Sequence, residues 1–168
     1  HLQDYFQKEN TIPKFYFIVD RLDLLKQAKT EFINRGLSVN IVNSKQEFVS
    51  DIKKASALHN SSGNNEITVV NIQKFSEESS SEAINDYDIN IQRVYFLDEV
   101  HRSYNPKGSF LANLINSDKN AIIIGLTGTP LITKNLYSKD LFGDYIHKYY
   151  YNMSIADGYT LKLIREGI

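Results

Sequence analysis

Residues 98–102 read Asp98-Glu99-Val100-His101-Arg102 and follow directly on the apolar run "VYFL" (94–97). Adjacent residues at a strand end point to different sides, so two neighbouring carboxylates there can do two different jobs. One can hold a hydrated Mg2+, a hard cation that takes few protein ligands and fills its shell with water and phosphate oxygens. The other can orient a water and take its proton, the general-base step of phosphoanhydride hydrolysis. A second stretch, "LTGTPL" (126–131), places Thr127 and Thr129 around a glycine at the end of another apolar run. Their hydroxyls can bond carboxylates, phosphates or backbone, and Gly128 lets the chain turn close to a neighbour. Each stretch also has a plainer reading. Asp98 can cap a following helix with Glu99 in solvent, and Thr-Gly-Thr-Pro can be a hydroxyl-stabilised turn. A metal-hydrolase centre on Asp98, Glu99 and His101 is a further reading, with no second histidine cluster to draw on; His59 and His147 lie in unrelated contexts. The two stretches in this order, each closing an apolar run, favour the nucleotide chemistry over separate caps.

Such residues need elements to hold them. "KFYFIV" (14–19), bounded by Pro13 and Asp20, reads as a buried strand. "RLDLLKQAKTEFINRG" follows with Leu22, Leu25, Ala28 and Phe32 near helical spacing, and Gly36 stands where a helix C-terminal glycine belongs. "LSVNIV" (37–42) is a second strand. Ser44 and Glu47 form a capping-box pattern before a helix with Phe48, Ile52 and Ala55 on its apolar stripe. "HNSSGNN" (59–65) is a loop, and "EITVV" (66–70), "RVYFL" (93–97) and "AIIIGL" (121–126) are three more strands. "SEESSSEAINDYD" (76–88) is acidic and Ser-rich and reads as a surface loop; "SFLANLI" (109–115) reads as a short helix. These strands are continuous apolar runs alternating with helices or long crossovers, the pattern of a parallel sheet covered on both faces. The fold expected is therefore α/β. In such a sheet, ligands bind beyond the carboxyl ends of the strands, where Asp20-Arg21, Asp98-Glu99 and Thr127 all fall. After residue 131 the pattern loosens, and "DYIHKYYYNMSIADGYTLKLI" reads as extended segments around a turn at Asp157-Gly158.

The bulk numbers narrow the class. The chain has 168 residues, 42% hydrophobic and 23% charged, enough for one domain with a core of its own. It has no cysteine, which removes disulfide frameworks and thiolate metal sites and fits a reducing cytoplasm. No apolar run approaches the length of a membrane span, so no membrane association is expected. The formal net charge is −1, so any nucleic-acid surface must be a local patch.

The motifs carry a resemblance. "DEVH" resembles the Asp-Glu-x-His box, motif II, of superfamily 2 helicases and translocases, and "TGTP" resembles their motif III. Within that group "FLDEVHRS…GLTGTPL" is similar to the restriction (R) subunit of type I restriction enzymes, with Leu126 where that family usually has Phe. "FIVDRLDLLKQ" (17–27) looks like its motif Ia segment. "VVNIQKF" (69–75) looks like its Thr-Ile-Gln-Lys-Phe segment with Asn71 in place of Thr, and 141–160 resembles the stretch leaving the first motor domain. The resemblance implies a RecA-like parallel sheet of the P-loop NTPase type. It assigns residues 1–143 to a partial first motor domain with motifs Ia to III, and 144–168 to an extended segment toward a second motor domain.

As sites, it implies Asp98 holding Mg2+ through water beside ATP, and Glu99 as catalytic base. His101, Arg102, Thr127 and Thr129 would couple hydrolysis to movement. Asp20, Arg21, Gln73 and Lys74 would lie near DNA, although Arg21 can equally pair with Asp20 or Asp23, and Gln73-Lys74 can be a solvated helix start. The implied partners are double-stranded DNA and the modification and specificity subunits, in a bacterial or archaeal cytoplasm. The sequence holds no Gly-x-x-x-x-Gly-Lys-Ser/Thr. The family's phosphate loop would lie just ahead of "KFYFIV", so this stretch alone is expected neither to bind ATP tightly nor to hydrolyse it, and a larger parent is expected. Two alternatives stand beside this reading: another superfamily 2 motor of the type III restriction or repair kind, and a non-catalytic nucleotide-binding module of flavodoxin-like architecture.

Overall fold

The computed structural model describes residues 2–54, 56–75, 88, 90–98, 118–128 and 143–159. Five strands, β1 (Ile12–Val19), β2 (Ser38–Val42), β3 (Glu66–Asn71), β4 (Ile91–Asp98) and β5 (Ile122–Leu126), form one sheet in the order β2-β3-β1-β4-β5. Every neighbouring pair is parallel. With helices α2 (Leu22–Asn34) and α3 (Lys45–Lys53) in the crossovers, this is the expected RecA-like α/β sheet.

The strands alternate between two cores, as period-2 geometry requires. One face sends Tyr16, Ile18, Val42, Val70, Tyr95 and Leu97 against Phe48 and Ile52 of α3 and against Phe75. The other sends Val19 and Val69 against Leu25 of α2, with Phe17, Ala28 and Phe32 packed around them. Aromatic rings tie the first core together: Tyr16 stacks on Tyr95 at 5.1 Å between centroids, and Phe48 meets Tyr16 edge-on at 5.4 Å. Burying each such side chain contributes roughly 1.5–3 kcal/mol.

Local sequence sets the element ends. Ser44 accepts from the Glu47 N–H at 3.2 Å while the Glu47 carboxylate accepts from the Asn43 N–H at 2.8 Å, close to the capping box expected there. Gly36, at φ +80, closes α2 with Gly36 N–H to Ile33 O at 2.9 Å and Leu37 N–H to Phe32 O at 3.0 Å. Pro13 lies inside β1 rather than bounding it. Ile12 N–H bonds Asn90 O on the β4 side, so the nitrogen of Pro13 faces β3, whose pairing with β1 begins only at Tyr16. The missing donor is thus harmless.

Two elements were not anticipated. Helix α1 (Leu2–Lys8) precedes β1 and buries Phe6. Residues 151–156 form helix α4 (Tyr151–Ala156), where the sequence suggested an extended run. The Asp157-Gly158 pair is its C-terminal cap: Gly158 sits at φ +76, and Tyr159 N–H returns to Ser154 O at 2.9 Å. A glycine at positive φ serves hairpin turns and helix ends alike, so that signal alone could not separate them. The expected 76–88 loop (apart from Asp88) and the 109–115 helix lie outside the described residues.

Candidate functional site

Parallel strands in near-common register bring distant parts of the sequence to one edge. Val19 pairs with Asn71, Ile18 with Leu97, and Asp98 with Leu126. The residues that close or follow these strands, Asp20, Asn71, Asp98 and Thr127, therefore share the carboxyl edge of the sheet, where an open α/β sheet binds its ligands. Asp98 is half-buried at the last position of β4, and Thr127 and Gly128 are exposed just past the neighbouring strand β5. Asp20 follows the central strand. It is half-buried, and its Oδ1 is enclosed with no hydrogen-bond partner among the described residues. Arg21 is exposed, its guanidinium 3.9 Å from the equally exposed Asp23 carboxylate, a loose surface pair that contributes little. Gln73 and Lys74 fall in the 3-10 turn Ile72–Phe75 that continues β3 past this same edge. Glu99, His101, Arg102 and Thr129 lie outside the described residues.

Of the candidate residues, then, Asp98, Thr127, Asp20 and Arg21 are gathered at one edge, with the backbone of Gln73 and Lys74 beside them. A single partly exposed carboxylate at a strand end suits a hydrated Mg2+, which needs only one or two protein carboxylates. Among the described residues no group of three or more His, Asp or Glu side chains could cage a metal directly.

The opposite, amino-terminal end of the sheet holds a charged network that the sequence reading missed. Lys14 and Arg93 are in register on β1 and β4, each followed two residues later by a tyrosine on the same face. Lys14 Nζ lies 3.2 Å from Asp51 Oδ2, and Tyr16 donates to that same oxygen at 2.9 Å. Arg93 grips Asp118 with Nε and Nη2, and Tyr95 donates to Asp118 at 3.3 Å. Each strand thus sends a cation and a tyrosine to one buried aspartate, and the two tyrosines stack. Burial depresses the Lys14 ammonium and outweighs the opposing pull of Asp51. Burial also opposes the Arg93 charge, but the Asp118 carboxylate more than restores it and holds the guanidinium above its usual value. Tyr16 is pushed well above the ordinary tyrosine range by burial first and by Asp51 next. His59 joins the cluster with one ring nitrogen on Asp51 and the other on Glu66. A Lys-x-Tyr and an Arg-x-Tyr, each opening an apolar strand, were the visible signal. They place charge on an inward face, which demands a buried partner.

The five-stranded sheet, its parallel order and its flanking helices define a RecA-like α/β domain. The profile of the SWI2/SNF2 ATPase family matches residues 2–167, and the chain belongs to that family. It is 31% identical over 163 residues to a type I restriction enzyme endonuclease subunit of Staphylococcus saprophyticus, covering 92% of this chain and 16% of that protein. A Methanocaldococcus jannaschii protein, provisionally named as such a subunit, is 30% identical over 176 residues, covering 95% of this chain and 17% of its own length. A Staphylococcus aureus type I restriction enzyme endonuclease subunit is 29% identical over 163 residues, covering 92% of this chain and 16% of that protein. The chain thus spans about one sixth of the length of these relatives. No solved structure matches. Among the described residues no helix is long and apolar enough to cross a membrane.

Proposed function

We propose that this chain is the first motor domain of a type I restriction R subunit, and that the parent protein hydrolyses ATP to draw duplex DNA before a separate nuclease domain cuts it. One observation carries the reading: Asp98, which heads motif II by resemblance, ends β4, and Thr127, which heads motif III, directly follows the adjacent parallel strand β5 at the carboxyl edge. In this reading residues 1–143 form the motor domain and 144–168 lead toward the second. Asp98 would hold a hydrated Mg2+, which when bound would neutralise phosphate charge. Glu99, the next residue, orients the attacking water and takes its proton. His101 and Arg102, with Thr127 and Thr129, relay the state of the nucleotide edge to the second motor domain. Arg21, exposed past the central strand, reaches a DNA phosphate, with Asp20, Gln73 and Lys74 bordering the track. The modification and specificity subunits are its partners, the specificity subunit carrying the recognition of the DNA site.

The test is ATP turnover of the full-length protein with and without linear duplex DNA, for wild type and Glu99→Gln. Removing a general base costs on the order of 10²–10⁴-fold. DNA-stimulated turnover that collapses in the variant, with ATP binding kept, supports the motor. Turnover indifferent to DNA, or surviving the substitution, rules it out.

A further inference from the structure

The charged cluster at the amino-terminal end of the sheet contains one side chain that meets both buried carboxylates and water. His59 lies between α3 and β3, with its Nε2 on Asp51 Oδ1 and its Nδ1 on Glu66 Oε1. The carboxylates are 3% and 4% exposed as side chains, whereas the imidazole is 25% exposed, so a solvent proton reaches the cluster through the ring. A carboxylate oxygen accepts but does not donate. Both ring nitrogens therefore carry hydrogen when both bridges are made.

The remaining contacts show what happens without that second hydrogen. Glu66 is held independently of the ring, by the His59 N–H at 3.1 Å and by Asn60 N–H and Nδ2 at 3.2 and 2.9 Å. Asp51 keeps Lys14 Nζ at 3.2 Å and the Tyr16 hydroxyl at 2.9 Å. A bare Nε2 also has a donor at hand, Asn40 Nδ2 of β2, 3.4 Å away. Each state of the ring thus has partners. The charged groups facing it are Asp51 of α3, Glu66 of β3 and Lys14 of β1, with Lys54 acting on Lys14 and the Tyr16 phenol beside them. With a protonated ring, two cations balance two anions; without the proton, the buried cluster carries an excess negative charge, which is costly away from water.

We propose that His59 is a proton-operated latch: protonated, it ties α3 to β3 through Asp51 and Glu66, and deprotonated, it turns Nε2 to Asn40 and releases Asp51. This adds a regulatory element at the end of the sheet away from the nucleotide edge and does not depend on the motor reading. The depressed Glu66 carboxyl agrees with it: burial alone would raise that group, and the hydrogen bonds from His59 and Asn60 reverse the effect.

The test is hydrogen–deuterium exchange of the full-length protein from about pH 5 to pH 8, the span in which histidine changes charge, corrected for intrinsic rates. The latch predicts that the last turn of α3 loses about tenfold in protection as pH rises, the size of one hydrogen bond to a charged group, while the His59 and Asn60 amides, which bond Glu66 in both states, hold theirs. The β3 amides serve as an unchanged reference. In His59→Gln, which can hydrogen-bond but does not titrate, the profile should be flat. Equal pH dependence in wild type and variant, or none in wild type, overturns the latch. If the variant does not fold, the nitrogen-15 histidine spectrum of the wild type decides. Two ring protons at the acid end, with the loss of one tracking the opening, support the latch; a single ring proton throughout overturns it.

Discussion

The two ends of the sheet treat charge in opposite ways. Among the described residues of the amino-terminal end, the inward charges are met: Lys14 by Asp51, Arg93 by Asp118, Glu66 by His59 and Asn60. At the carboxyl edge Asp98 is half-buried at the end of β4, and Asp20 keeps an enclosed oxygen without a donor among the described residues. A buried charge without a partner is expensive. Among the described residues, the one enclosed carboxylate oxygen without a donor, on Asp20, lies at the carboxyl edge and not in the paired network at the other end.

The largest effect expected on stability is at the closed end. Asp118→Ala leaves the Arg93 guanidinium buried without its counter-ion and should cost about 3–5 kcal/mol of unfolding free energy, read by denaturant titration. A loss below about 1 kcal/mol would mean that the pair is effectively solvated. Acid should also weaken this end. Glu66 titrates below the ordinary glutamate value when folded, so its contribution is fully present above that value and fades as pH falls through the lowered one. Glu66→Gln should therefore flatten the acid limb of the stability profile; an unchanged limb would contradict the assignment. The smallest effect is at the open end. Asp20→Asn removes the charge from a carboxylate with one enclosed, donor-less oxygen among the described residues and should leave stability equal or higher by less than about 1 kcal/mol, while DNA-stimulated turnover falls. A marked destabilisation would show that Asp20 is structural.

The sheet was legible because each strand is an apolar run between turn signals, and parallel crossovers leave that pattern intact. Its carboxyl edge was legible for the same reason: once β4 and β5 are placed, Asp98 and Thr127 must fall together. What escaped was long-range pairing. Nothing local ties Lys14 to Asp51 or Arg93 to Asp118, and each cation read as the polar first residue of a strand rather than as an inward charge. His59, set in a Ser/Asn-rich loop, read as unrelated to the other candidates because its partners Asp51 and Glu66 lie on other elements. Helix α4 was hidden by a tyrosine run of strand-like composition and by a glycine signal common to two kinds of turn.

The most direct test of the contrast is Asp98→Asn in the full-length protein, with DNA-stimulated ATP turnover and unfolding free energy measured on the same preparation. Turnover lost with stability changed by less than about 1 kcal/mol is the predicted result, marking β4's carboxyl end as the working edge. Turnover retained, or lost only in step with unfolding, would make Asp98 another structural charge and remove the contrast.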